Sequence, residues 1–257
     1  IQPTDGDFGN DVGGSTLATG NTIVNFGGGV LTGTPLPTYG VYAKNQWGCN
    51  VSFNTINSNN GSGVSHPNHV TGILMDVAPG ANVGVNNNNI NISTSNATGI
   101  LQGINDAAGN FVTANSNTVN ITNNSVTATH PNMTSGTFTG IVSSATASTV
   151  NLNGNTVQNV VLPASATGTF TGIQQTGVTA LNMNNNTVQA NTLPGSNTFL
   201  ALSNTAADSV TLNMNGNIIR NNSKIAGTGG NGGTMTLIAV GAPKTGGTTC
   251  ITNVNNN

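Results

Sequence analysis

The chain of 257 residues carries four Lys plus Arg, six acidic residues that are all Asp, and three His, for a formal charge of −2. Charged residues make up 4% of it, against about 25% in an ordinary soluble domain, so neither a basic nucleic-acid surface nor a polybasic membrane face can be built from it. Aromatics are also 4%, which excludes a large aromatic core, and no apolar run reaches the roughly 18 residues of a membrane span.

What fills the volume is 46 Asn, 35 Gly, Thr, Ser and small aliphatics. Disorder goes with high charge and few β-branched residues. Here Val, Ile and Thr are abundant and regularly placed, which predicts an ordered chain. It opens Ile1-Gln2-Pro3 with no Met, basic leader or apolar run, as expected of a processed product or a fragment. Residues 1–15 read as an N-terminal arm. Within it, Asp5-Gly-Asp-Phe-Gly-Asn-Asp11 holds three acids. Asp5, Asp7 and Asp11 have the alternating acids and Gly of a calcium loop, but lack the distal bidentate Glu of an EF-hand. A calcium site and a solvated arm are the two readings, and no other cofactor is expected.

From residue 16 an internal repeat organises the chain. Its copies begin at Thr16, Cys49, Val83, Val119, Val150, Leu181 and Leu212. Val150-Asn-Leu-Asn-Gly-Asn-Thr-Val157 returns as Leu181-Asn-Met-Asn-Asn-Asn-Thr-Val188 and Leu212-Asn-Met-Asn-Gly-Asn-Ile-Ile219, 31 residues apart both times. The sixth position is Asn in every copy: Asn21, Asn54, Asn88, Asn124, Asn155, Asn186 and Asn217. The eighth is always β-branched. A second signature alternates with the first: Tyr39-Gly-Val41, Thr71-Gly-Ile73, Thr98-Gly-Ile100, Thr139-Gly-Ile141 and Thr171-Gly-Ile173, with Leu200-Ala-Leu202 and Thr236-Leu-Ile238 as weaker late members. Within a copy, apolar residues alternate with polar ones up to a bend at positions five and six, where Gly and Asn tolerate left-handed backbone.

A turn of about 31 residues cannot bury its own apolar face and must stack on like turns. The pattern therefore predicts an all-β fold, a parallel β-helix (β-solenoid) of about eight turns over residues 16–240, roughly 38 Å long at about 4.8 Å per strand. Hexapeptide repeats of the left-handed class are missing, which favours the right-handed form. Residues 241–257, with the strand-like Thr249–Val254, form a C-terminal strand or tail available for contact between subunits. Stacking puts the seven Asn in register, where each side-chain amide can donate to the next and avoid a burial cost of about 1–3 kcal/mol per group. It also explains the missing charges, since a repeated charge would meet its like one strand away.

With these Asn-, Thr- and Gly-rich turns and aliphatic columns, residues 16 to 240 resemble secreted bacterial right-handed β-helix proteins, such as autotransporter passenger domains and long repetitive adhesins. The resemblance implies an extracellular or cell-surface location in bacteria, but no particular activity.

Chemistry on such a rod would need clustered acids. Glycoside hydrolysis takes two carboxyl groups roughly 5–9.5 Å apart. Asp76 and Asp106 fall on adjacent turns but at different offsets from their signature Gly, and Asp208 is several turns away. None of Lys44, Arg220, Lys224 and Lys244 is expected beside them. Ser65-His-Pro-Asn68 and Thr129-His-Pro-Asn132 are near copies. His66, His69 and His130 could be read as a metal site, but two turns span roughly 10 Å, and Pro after His reads as a repeated turn entry. Thr137-Phe-Thr139, Thr169-Phe-Thr171 and Thr234-Met-Thr236, middle residue inward, make a partial outward Thr array of the ice-binding kind. Cys49 and Cys250 lie about 29 Å apart along one rod, too far for an internal bridge. They suit either an inter-subunit disulfide or, for Cys49, a buried free thiol.

Uncapped solenoid ends invite another chain. The expectation is therefore a non-enzymatic structural subunit of an extracellular filament or surface fibre, a head-to-tail homopolymer of this chain. An adhesin passenger binding glycans or host surfaces is the alternative. A polysaccharide-active enzyme and an ice-binding protein are further ones.

Overall fold

The computed structural model describes residues 7–28, 36–59, 61, 66–110, 116–163, 167–177, 180–194, 198–206, 211–225, 233–241 and 251–255. Their one helical element is the short 3₁₀ turn Leu17–Thr19, and no helix among them is long and apolar enough to cross a membrane.

The chain winds as a parallel β-solenoid with three walls. Each turn places one strand on wall 1, the next on wall 2 and a longer one on wall 3. Wall 1 has eight strands, from Asp11–Gly13 and Asn50–Ser52 through Thr149–Asn153 to Thr211–Asn215 and Ile251–Asn255. Wall 2 has seven, from Thr22–Val24 to Ile218–Arg220, and wall 3 has seven, from Thr38–Ala43 to Met235–Val240. Seven rungs enclose about six full turns of about 32 residues, fewer than the expected eight. Beyond residue 241 the described residues add one strand, not a three-walled turn. Pairing nevertheless extends outside 16–240 at both ends, because Asp11–Gly13 pairs with Asn50–Ser52 and Ile251–Asn255 with Thr211–Asn215.

The first repeat signature supplies walls 1 and 2, and the second supplies wall 3. Period-two alternation sends the apolar residues inward. Val51, Val85, Ile121, Leu152 and Met183 stack from wall 1, and Ile56, Ile90, Val126, Val157 and Val188 from wall 2. On wall 3, Phe138, Phe170 and Phe199 form a continuous ring stack with centroids 5.1 and 4.7 Å apart. The core is thus a set of like-on-like columns, which the in-register repeat enforces.

The corner between walls 1 and 2 is the bend at positions five and six. Position five is left-handed in Phe53, Asn87, Asn123, Gly154, Asn185 and Gly216, with φ between 56° and 68°. Gly and Asn enter that region at little cost, whereas Phe53 does not. Position six is the ladder. From Asn21 to Asn186, the backbone N–H and the Nδ2 both donate to the Oδ1 of the Asn one turn on, at 2.9 to 3.2 Å. From Asn54 to Asn217, Nδ2 also donates to a wall 1 carbonyl of the preceding turn: Val12, Val51, Val85, Ile121, Leu152 or Met183. In each inner rung from Asn54 to Asn186, Oδ1 therefore accepts twice and Nδ2 donates twice. These buried amides are saturated, and they also satisfy the backbone N–H at the corner.

On the third rung of wall 3 the register places Gln102-Gly-Ile104, four residues beyond the expected Thr98-Gly-Ile100, in line with Thr71-Gly-Ile73 and Thr139-Gly-Ile141. The Gly of the second signature has a steric cause. A Cβ on Gly40, Gly72, Gly103, Gly140 or Gly172 would meet the carbonyl oxygen of the next rung at 2.3 to 2.7 Å and a β-branched side chain of wall 2. The first five rungs of wall 3 approach wall 2 this closely because that column has no side chain there, and Ala201 takes the place on the sixth.

Two consequences are measurable by chemical denaturation. Asn155→Ala leaves several buried donors and acceptors of neighbouring turns unpaired and should cost about 3 kcal/mol or more. Asn21→Ala, at an exposed terminal rung, should cost well under that. Gly140→Val, whose Cβ would lie 2.5 Å from the Gly172 carbonyl oxygen and 2.6 Å from Val157, should destabilise by about 3 kcal/mol through overpacking.

Candidate functional site

The ends of the rod differ from its middle. Within the stack, Phe199 and Leu202 are sealed by the rungs on either side. Their partners on the last rung of wall 3 are Met235 and Ile238. Met235 is 40% exposed, with Leu237, Val240 and the wall 2 residue Ile218 similarly open, because among the described residues no further rung covers them. The first rungs show the same condition, with Val12, Ile23 and Phe26 only half-buried. Met235 thus stands in the inward column of Phe138, Phe170 and Phe199, as expected of the middle residue in a Thr-x-Thr unit, but is left open at the end of the stack.

Charge is also partitioned. Among the described residues, exposed Asp7 and Asp11 lie at the N-terminal end, and Arg220 and Lys224 at the C-terminal end. Lys44 and Asp76 pair with each other at 3.6 Å, and Asp106 is buried. The walls between are almost free of charge.

The calcium reading gains no geometry. Asp5 lies outside the described residues, Asp7 and Asp11 are exposed, and Asp11 accepts from Asn50 Nδ2 at 3.0 Å. Among the described residues no three His, Cys, Asp or Glu side chains group together as metal ligands do. Cys49 is a free thiol, 1% exposed in the core, and burial pushes its pKa up. Cys250 lies outside the described residues.

The two acids on adjacent turns do not converge. Asp106 pairs with Met75 and turns inward, whereas the next residue along, Asp76, has a side chain 26% exposed. The Val77 N–H and the Tyr42 hydroxyl donate to Asp76 and hold its carboxyl below the usual range. Lys44 beside it departs from the expectation that no basic residue would lie near these acids. Ala43 pairs with Met75, so the next residue on each strand falls together. Asp208 lies outside the described residues.

The histidines tie successive loops. His66 accepts from the Gly28 N–H at Nδ1 and donates from Nε2 to the Leu36 carbonyl. His69 Nδ1 accepts from the Ile100 N–H, and His130 Nε2 donates to the Gly99 carbonyl. The Thr array is confined to three turns. Thr137, Thr169 and Thr198 align, as do Thr139 and Thr171, but Ile100, Gln102 and Leu200 interrupt it.

Two features of the corners escaped the sequence reading. Asn191 and Asn222 repeat the ladder geometry at the next corner, with Val160 N–H donating to Asn191 and Asn191 donating to Asn222. Their 31-residue spacing was the available signal. At the corner between walls 3 and 1, Asp106, Ser143, Gln175 and Asn204 form an inward polar column. Asp106, Ser143 and Asn204 accept from the N–H two residues on, at Ala108, Ala145 and Ala206.

No protein-family model, curated protein or solved structure matches the chain.

Burial pushes the Asp106 carboxyl up to about 7, although the Ser143 hydroxyl and the Ala108 N–H oppose it. Its unfolded value lies near 3.9, so between those values the folded chain binds more protons than the unfolded one. The Asp106 contribution to stability should therefore be full below about pH 4, decline as pH rises towards 7, and level off above, by at most about 4 kcal/mol. Asp106→Asn keeps the corner acceptor, as Asn204 does in the same column. It should raise Tm at pH 8 more than at pH 4 and flatten the profile in thermal melts.

Proposed function

We propose that this chain is a structural, non-enzymatic subunit of an extracellular filament or surface fibre, assembled by stacking the C-terminal rung of one copy on the N-terminal rung of the next. The observation that carries this reading is the pair of uncovered ends. Each presents edge strands of the same three walls, and the last rung leaves Met235, Leu237 and Ile218 open to solvent. Unpaired parallel edges accept further strands in the same register. The second copy is the fitting partner, because its first rungs offer half-buried Val12, Ile23 and Phe26. The acidic residues of one end and the basic residues of the other favour head-to-tail encounter. An interface of this heterologous kind propagates instead of closing.

The resemblance to secreted bacterial passengers and adhesins supports the extracellular setting. A rod whose polar walls bind glycans is the second reading, favoured by the amide columns on wall 1.

Negative-stain electron microscopy tests the assembly. Filaments with a subunit repeat of roughly 34 Å, seven rungs at the usual strand spacing, are the expected result. Met235→Asp puts a charge on the open rung, where it is not needed for the core, and should leave isolated rods. Loss of filaments under reductant would implicate Cys49 and Cys250 as a bridge between copies, and persistence would leave Cys49 a buried thiol. Isolated rods of the unaltered chain at every concentration would sink the reading.

A further inference from the structure

Wall 1 carries a second amide ladder on its outer face. Asn50, Asn120, Asn151, Asn182 and Asn213 share one column, broken only where Gly84 takes the place between Asn50 and Asn120. Below the break the ladder is regular. The Nδ2 of Asn213, Asn182 and Asn151 each donates at 2.8 Å to the Oδ1 of the residue one turn earlier, ending on Asn120.

Three amides are engaged on their far sides and open at Gly84. With Oδ1 turned to Asn151, the Nδ2 of Asn120 lies on the side of the break, where Gly84 supplies no side-chain acceptor. Asn50 donates away from it to Asp11 Oδ1 at 3.0 Å, and Asn86 accepts away from it from Thr122 Oγ1 at 2.7 Å. The opposite ends, Asn50 Oδ1 and Asn86 Nδ2, overhang Gly84, 2.5 and 2.7 Å from where a Cβ would stand. None of these three open ends has a protein partner among the described residues. Around them lies an open groove of about 770 Å³, lined among others by Asp11, Asn50, Phe53, Asn86, Asn120 and Thr122. That volume is in the range of small-ligand sites.

Phe53 is a second, independent sign. It holds φ of 60° where the equivalent residues of later turns are Asn or Gly. A bulky residue kept left-handed is strain of the kind that collects at binding sites. Its ring gives this groove the apolar edge that the rest of the wall lacks.

We propose that the Gly84 break is a binding site for a neutral carbohydrate. A sugar hydroxyl both donates and accepts, so neighbouring hydroxyls can meet the Asn50 acceptor and the Asn86 and Asn120 donors together. Phe53 packs against the C–H face of the ring. The one charged residue in the lining, Asp11, is a carboxylate held by the neutral Asn50 amide, which disfavours anionic ligands and leaves its other oxygen as a further acceptor for a hydroxyl. An extended peptide is a poorer fit, because it would bind an open strand edge, and Val83–Asn86 is paired on both sides.

The test is isothermal titration of the full chain with neutral hexasaccharides of glucose, mannose, xylose and N-acetylglucosamine. At least one should bind at up to roughly 5 mM. Gly84→Asn fills the break, displacing only the flexible ends of Asn50 and Asn86. It should leave Tm unchanged or raised while weakening binding by roughly tenfold or more. Asn120→Ala, at a half-buried wall position, serves the same purpose should Gly84→Asn fail to fold. No binding by any of the hexasaccharides, or equal binding by the folded variants, overturns the proposal. Neither result bears on filament assembly, which is read from the ends.

Discussion

In-register parallel stacking is the constraint on which the rest of this molecule depends. Once each turn lies directly on the last, every side chain meets its counterpart one strand spacing away, and only residues that get along with their own kind can be repeated. Aliphatic columns bury one another, and Phe138, Phe170 and Phe199 stack ring on ring. Amides satisfy each other because one group both donates and accepts. Charged side chains repel in a column, and the charge content of 4% follows. The unusual composition is therefore a property of the architecture before it is a clue to function.

Corners set the next level. A three-walled turn must bend sharply at fixed places while leaving buried backbone donors satisfied. At the corner between walls 1 and 2, a left-handed residue followed by a ladder Asn does both, since the amide oxygen takes up the backbone N–H of the preceding rung. At the corner between walls 3 and 1 the same task falls to side chains that loop back onto their own chain, and identity matters less there: Asp106, Ser143 and Asn204 are interchangeable as acceptors for the N–H two residues on. This tolerance admits a buried carboxyl, at the cost of a pKa pushed up to about 7.

How much was legible follows from the same distinction. Columns in which one residue type recurs without exception, such as the ladder from Asn54 to Asn217 and the wall 2 β-branched residues, could be read directly and define the walls. The polar column of Asp106, Ser143, Gln175 and Asn204 could not, because four residue types do one job and turn lengths vary. Lys44 beside Asp76 was within reach, since the second signature already aligned their strands. The break at Gly84 was visible as a missing Asn, but its meaning depends on which end of each neighbouring amide is engaged, and no one-dimensional pattern contains that. The seven copies of each signature count rungs, and turns are the six intervals between them, so the expected eight exceeded even the number of copies.

The hydrogen bonds also give the rod a direction. In the inner ladder each Asn is joined to the next through an oxygen that accepts from the turn before, so donors point towards the C-terminal end. The outer ladder of wall 1 runs the other way, with donors towards the N-terminal end. Opposed ladders keep amide dipoles from summing along the rod, yet neither ladder survives reversal of a rung. A two-fold contact between like ends would set donor against donor at the C-terminal end, or acceptor against acceptor at the N-terminal end, in the inner ladder and turn parallel pairing into antiparallel. A head-to-tail contact extends both ladders and all three walls without a change of geometry. For the assembly we propose, this polarity makes the heterologous contact the one that costs no broken pattern, and it gives a filament two distinct ends.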